Sequence, residues 1–293
     1  MPVVQCRQGH FYNAEKFNRC PHCTARDSSE EITVEMEEDG SSLGFNYGVA
    51  LAIGSRKNQQ DAALVALRYF DTTDGSAEAV LGVLCDGIGG SRGGDVASQL
   101  CTQGMRDAFL RLNDLDFRSF FLNESQQLDQ LTAELRDEFD EPLKAGSTMV
   151  SVIIMQSTLY WLSVGDSRAY IYRDGVLAQI TMDHNYRKLL VEEGLYSVDE
   201  AAIHPNGEKL TSFMGIGGLK QIDSNSIPLQ LAAGDMLLLC SDGLYKTLSI
   251  EEITALLDQG LAAQETADTL IRTTLEKQKP KQDNVSVILF TLF

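Results

Sequence analysis

From residue 44 onward the spacing of apolar positions changes several times, and each change marks an element. The run "AEAVLGVLCD" (77–86) is almost wholly apolar and stops at a turn, as a strand buried on both faces does. Helical spacing follows, with Val96, Leu100, Met105 and Phe109 recurring over 92–112 and Leu128, Leu131, Leu135 and Phe139 over 124–141. Residues 148–181 then form an apolar stretch broken by short polar turns such as "RDG", which predicts three or four strands of an antiparallel meander. A polar helical stretch covers 185–205, and "LQLAAGDMLLLC" (229–240) returns to strand pattern about a tight turn. The segments "SIEEITALLDQG" and "AAQETADTLIRTTLEKQ" read as capped amphipathic helices, and "DNVSVILFTLF" as a closing strand. Strands grouped apart from helices predict an α+β fold, an antiparallel sandwich with helices stacked outside it.

The first 43 residues follow none of these periods. Residues 1–26 hold three of the six cysteines, in "CRQGHFYNAEKFNRCPHC"; 27–39 carry seven acidic side chains and no basic one, followed by "GSS". The latter is a linker signature, although the alternation in "ITVEM" would also suit an edge strand. The expected organisation is a small segment over 1–26, an acidic linker over 27–43 and one large domain over 44–293.

A net charge of −18 argues against nucleic acid or an anionic membrane as the main partner. The chain shows neither a signal peptide nor a run long enough to span a bilayer, so the expectation is a cytoplasmic protein under reducing conditions.

Chemistry concentrates in "LCDGIGGSRGGDVAS" (84–98). A dinucleotide fingerprint fails there, because Arg92 stands where a third glycine is needed and Asp86 would repel a pyrophosphate. A cysteine-phosphatase loop, by its resemblance, needs five residues between nucleophile and arginine, whereas Cys85 and Arg92 have six between them. The third reading makes Asp86 the working group, with glycines admitting a cation and water to the backbone. It requires other carboxylates at strand ends, and Asp166, Asp242 and Asp283 meet that requirement. One such aspartate alone is more often a turn former or cap. Four of them offer the hard oxygen donors that suit Mg²⁺ or Mn²⁺.

The ordered series "GSRKNQQDAA", "DGIGG", "AGSTMVSVII", "VGDSRAYIYRDG", "ITMDHN", "HPNGEKLTSFMG", "LLCSDGLY" and "DNVSVI" resembles the bacterial branch of the type 2C metal-dependent protein phosphatases, over roughly 44–293. The resemblance implies a four-layer α/β/β/α sandwich and a protein serine/threonine phosphatase acting on phosphorylated proteins, with no covalent phosphoenzyme, in opposition to a cognate kinase. It implies two Mn²⁺ or Mg²⁺ ions with a bridging water, held by Asp86, the Gly87 carbonyl, Asp242 and Asp283. A third, weaker ion would lie on Asp166 and Asp242. Arg56 would bind the phosphate, Asp61 would hydrogen-bond metal-bound waters, and Asn284 would orient Asp283 or a water. His184 and His204 match family positions, but each reads better as a packed, hydrogen-bonded residue. The mobile flap of the family corresponds to about 185–213, where Arg187, Lys188 and Lys209 could dock a phosphopeptide or simply face solvent.

Two departures from the family pattern stand out. Gln60 replaces a glutamate near the second ion, which opens the alternative of a phosphopeptide-binding pseudophosphatase; Ile88 stands where eukaryotic members carry a histidine acid.

At the amino terminus, Cys6 and His10 precede "CPHC", which supplies Cys20 and Cys23. Two close pairs suit a tetrahedral Zn²⁺ in a segment too small for a core, and the block resembles a zinc ribbon. His22 could replace His10, and a redox Cys-x-x-Cys is the competing reading. The site would be structural and serve docking, in a monomeric enzyme.

Overall fold

A computed structural model describes residues 44–73, 75–89 and 93–293, and the backbone of two short strands ahead of them. Those two, β1 (Val3–Gln5) and β2 (Phe11–Asn13), pair antiparallel within the first of two units, Met1–Glu31. Cys6, His10, Cys20, Cys23 and the acidic linker lie outside the described residues.

The second unit runs from Ile32 to Phe293. Its strands are β3 (Phe45–Ala52), β4 (Asp61–Thr72), β5 (Gly75–Ile88), β6 (Gly146–Ser147), β7 (Met149–Met155), β8 (Thr158–Val164), β9 (Arg168–Arg173), β10 (Val176–Gln179), β11 (Asp223–Ser224), β12 (Leu229–Gln230), β13 (Met236–Cys240) and β14 (Val285–Leu292). They form two antiparallel sheets, one in the order β10-β9-β13-β14-β3 and the other β11-β8-β7-β5-β4, with β12 on β8 and β6 on β5.

The alternation of β5 shows how the layers stack. Leu81, Val83 and Cys85 point one way, onto α1 (Gly94–Arg111) and α2 (Phe117–Ala133), where they meet Cys101, Met105, Phe109, Phe117 and Leu128. Val80 and Leu84 point the other way, into the space between the sheets, against Leu237, Leu239, Ile288 and Phe290. The opposite faces of β13 and β14 (Leu238, Val287, Leu289) pack on Ile253, Leu257, Ala267 and Leu270 of α6 (Ile250–Leu257) and α7 (Ala263–Glu276). Three apolar layers separate four structural ones, the predicted α/β/β/α sandwich. Helices α3 (Tyr186–Glu192) and α4 (Val198–Ala202) build the flap, and α5 (Asp242–Tyr245) follows β13.

Several expected elements differ in detail. The meander is two hairpins in different sheets: after β8 the chain reverses at Gly165, φ 103°, and β9 and β10 join the other sheet. Likewise "LQ" and "MLLLC" are not one hairpin, since β12 pairs with β8 and β13 with β9 and β14. The helix expected over 124–141 begins at Phe117, because Asp116 caps it by accepting from Ser119 N at 3.1 Å, and its buried stripe is Phe117, Phe120, Phe121 and Leu128. Leu131 and Phe139, expected on the buried face, are exposed, as is Val96 of α1, where Ala97 and Cys101 point inward instead. The capping box of α6 is present between Ser249 and Glu252, whereas α7, with Ala262 at its N-cap, has no side-chain cap.

Candidate metal centre

Antiparallel pairing brings distant carboxylates to one end of the sandwich. Asp61 opens β4 and sits directly across from Asp86 near the end of β5. Asp242 follows β13 and Asp283 precedes its antiparallel neighbour β14, so both fall at the same end of the other sheet. Asp166 occupies the turn by which β8 crosses to β9. A hydrogen-bonded bridge shows that the two ends coincide: Asp61 Oδ2 accepts from Ser241 Oγ and Ser286 Oγ, each at 2.7 Å.

Two glycines permit this closeness. A Cβ on Gly87 would lie 2.1 Å from the Gly94 carbonyl oxygen and 2.6 Å from that of Gln60, so the first motif, the glycine loop and the start of α1 meet there only as bare backbone. At Gly243 a Cβ would lie 2.0 Å from the Asn284 carbonyl, which presses the Asp242 turn against the Asp283 turn.

The carboxylates strain against one another electrostatically. Burial is the leading cause that pushes Asp61 up to about 7, with the charges of Asp242 and Asp283 adding to it and the two serine hydrogen bonds opposing it. Asp166 rises to about 7 by burial and then by the charge of Asp242. Asp86 keeps some surface exposure, but desolvation of its carboxyl and four neighbouring aspartates raise it well above the ordinary range. Asp242 Oδ1 is buried without a hydrogen-bond partner. Repelling oxygen donors with one orphaned atom are chemically suited to hard divalent cations. Among the described residues, however, no three acidic, histidine or cysteine side chains converge as a ready-made cage. Both oxygens of Asp283 and one of Asp242 are engaged elsewhere: Asp283 Oδ2 by Arg56 Nη2 at 2.5 Å and Oδ1 by Asn284 N at 2.9 Å, Asp242 Oδ2 by Lys246 Nζ at 2.7 Å.

The competing chemistry at Cys85 finds no support. Its thiol is fully buried and raised well above the usual thiol value, chiefly by desolvation, so it packs as a small hydrophobe. Arg92 lies outside the described residues.

Comparison with known proteins accords with this geometry. The protein phosphatase 2C family model matches residues 49–189. A serine/threonine phosphatase, stp, of Listeria welshimeri is 31% identical over 212 residues, which cover 71% of this chain and 82% of that protein. The chain belongs to the protein phosphatase 2C family. Another relative, PstP of Mycobacterium tuberculosis, is 32% identical over 235 residues, 79% of this chain and 43% of its own length. Among solved structures, the Streptococcus agalactiae serine/threonine phosphatase superposes with a TM-score of 0.73 at 27% identity, covering 85% of this chain and 99% of that one. The catalytic domain of PstP in complex with two manganese ions has a TM-score of 0.69 at 28% identity, covering 86% and 99%. The phosphatase 2C fold follows for this chain.

Within the phosphatase, other residues take roles that the sequence did not announce. Asn284, expected to orient Asp283 or a water, contacts Asp283 through its backbone N–H, which donates to Oδ1 at 2.9 Å, while its side chain accepts from Gln60 N and donates to the carbonyls of Ile53 and Asn58. Asn284 thereby ties the Arg56 loop to β14. Ser241 and Ser286 were not singled out, although a serine directly before Asp242 and an alternating serine in "DNVSV" were visible signals. His184 is buried, accepts from Gly165 N at 3.2 Å through Nδ1 and has its pKa lowered by desolvation; His204 lies between the rings of Tyr186 and Tyr196. Both are packing residues, as expected. The flap cations are paired locally, Arg187 with Glu208 and Lys188 with Glu192.

Proposed function

We propose that this metal-dependent protein serine/threonine phosphatase hydrolyses phosphoserine and phosphothreonine at the carboxylate end of its sandwich. Asp86, the Gly87 carbonyl, Asp242 and Asp283 would hold a Mn²⁺ or Mg²⁺ pair. When bound, the pair supplies an ionised water at neutral pH and positive charge for the phosphoryl oxygens. Arg56, half exposed beside Asp283, offers a fork of donors that can take two phosphate oxygens while one nitrogen remains near Asp283. Asp61 lies opposite Asp86, its Oδ2 fixed by Ser241 and Ser286, and orients solvent at the site through its other oxygen. Gln60 carries no charge toward the second ion, but its backbone joins Asn284 and Gly87 and preserves the frame of the site.

The observation that carries this reading is the buried, unpartnered Asp242 Oδ1 among four other aspartates. The test is hydrolysis of p-nitrophenyl phosphate and of a phosphothreonine peptide. Activity should require Mn²⁺ or Mg²⁺, vanish in EDTA, survive Cys85→Ser, and fall at least about 10²-fold in Asp86→Asn. Peptide binding without turnover under any cation would favour the pseudophosphatase instead.

In the first unit, Cys6, His10, Cys20 and Cys23 would hold one structural Zn²⁺. Their spacing supports this, two close ligand pairs suiting a tetrahedral ion. Zinc content near one per chain, lost in Cys20→Ser, is the expected result. A monomeric cytoplasmic enzyme opposing a serine/threonine kinase completes the proposal; among the described residues no helix is long and apolar enough to cross a membrane.

A further inference from the structure

Lys246 stands four residues after Asp242, so its side chain folds back over the single turn of α5 toward the carboxylate. Its ammonium lies 2.7 Å from Asp242 Oδ2, 3.9 Å from Asp166 Oδ2 and 2.6 Å from Glu208 Oε2. These three acids come from three separate segments: the turn after β13, the crossing from β8 to β9, and the flap. Asp166 and Asp242 are also the pair on which the family resemblance places a third, weaker cation. A divalent ion binds such oxygens at roughly 2.0–2.2 Å in near-octahedral geometry, and an ammonium already in contact with Asp242 and facing Asp166 leaves no room between them. These two residues therefore do not fit a third ion in this chain.

We propose that Lys246 is a covalently tethered replacement for that third cation, and that through Glu208 it fastens the flap to the catalytic end. The inference rests on the dinuclear reading above. An ammonium presents three donors on a flexible stem, enough to serve Asp242, Glu208 and the Asp166 side at once. Because it is part of the chain, it stays whatever the free metal concentration. Glu208 in turn is bound into the flap: it pairs with Arg187 of α3, whose backbone N–H donates to Gly207 O at 2.9 Å. The receiving side is equally well braced. Tyr245 Oη donates to the Asp166 carbonyl at 3.0 Å, and Arg168 lies 3.6 Å over the Tyr245 ring while its guanidinium pairs with Asp183. Lys246 is thus a positioning residue, acting through Asp242 and Glu208.

The test counts ions and follows the flap separately, on the full chain. Wild type should bind about two Mn²⁺ at millimolar concentration, and Lys246→Ala and Lys246→Met about three, with the added site weaker than the pair. Hydrogen exchange over 185–213 in metal-free protein should quicken in both variants and in Glu208→Gln, whereas Glu208→Gln should gain no third ion. A third Mn²⁺ on the wild type, or two on every variant with unchanged exchange, overturns the proposal. No Mn²⁺ on any of the proteins overturns the parent reading of the metal centre instead.

Discussion

At the scale of single residues, the proposed centre leans on side chains outside its own ligand set. Asp61 is a buried carboxylate whose Oδ2 is satisfied only by two serine hydroxyls. Removing both, in Ser241→Ala with Ser286→Ala, leaves that oxygen unpaired and lets the carboxyl swing; Mn²⁺ affinity measured by calorimetry should fall by about 10–100-fold. Arg56→Lys keeps the charge but loses the fork, so kcat/KM for a phosphopeptide should drop by about 10–10²-fold, with an unchanged requirement for metal. Asp86, Asp242, Asp283 and Arg56 could be singled out in the sequence as candidates, because each sits in a short motif of glycine, serine or asparagine around a charge, and the fold brings them to one end of the sandwich. Ser241, Ser286 and Lys246 were not, because a serine or lysine takes on a role only from what lies across from it in space.

At the scale of elements, burial separates residues that look alike along the chain. Phe121 is 1% exposed on α2 and Phe139 is 74% exposed beyond its end. Phe121→Ala should cost about 3–5 kcal/mol in chemical denaturation, whereas Phe139→Ala should stay within about 0.5 kcal/mol of wild type. Helical spacing alone had ranked Phe139 with the core. What decided otherwise was the Asp116 cap, which starts the helix early and brings Phe117, Phe120 and Phe121 onto the sheet. Gly243→Ala tests the junction of two elements: its Cβ would meet the Asn284 carbonyl at 2.0 Å, forcing the Asp242 and Asp283 turns apart. A loss of about 1–3 kcal/mol should accompany weakened Mn²⁺ binding.

At the scale of the whole molecule, stability and metal binding are linked through pH. Asp61 and Asp166 lie at about 7 when folded, against an ordinary value of 3.8. A carboxyl whose folded pKa is raised favours the fold while it is protonated in both states, so its contribution is complete below pH ~4 and is lost as pH rises to ~7. Metal-stripped protein should therefore melt at lower temperature at pH 7.5 than at pH 5.5. Added Mn²⁺ should raise the melting temperature more at pH 7.5, where the ligands are already ionised. A flat melting profile over that range would refute the linkage. The sequence by itself determined the kind of molecule this is: strand and helix periods set the layers, and eight short motifs in order set the family, because both are local patterns readable within a few residues. Only the tertiary structure decided that the meander splits between two sheets at Gly165, that Asp61 rests on serines nearly 200 residues away or more, and that a lysine stands where a third ion was expected. Those outcomes depend on which sheet edge or turn faces which across the sandwich, and pairing across space leaves no periodic trace along the chain.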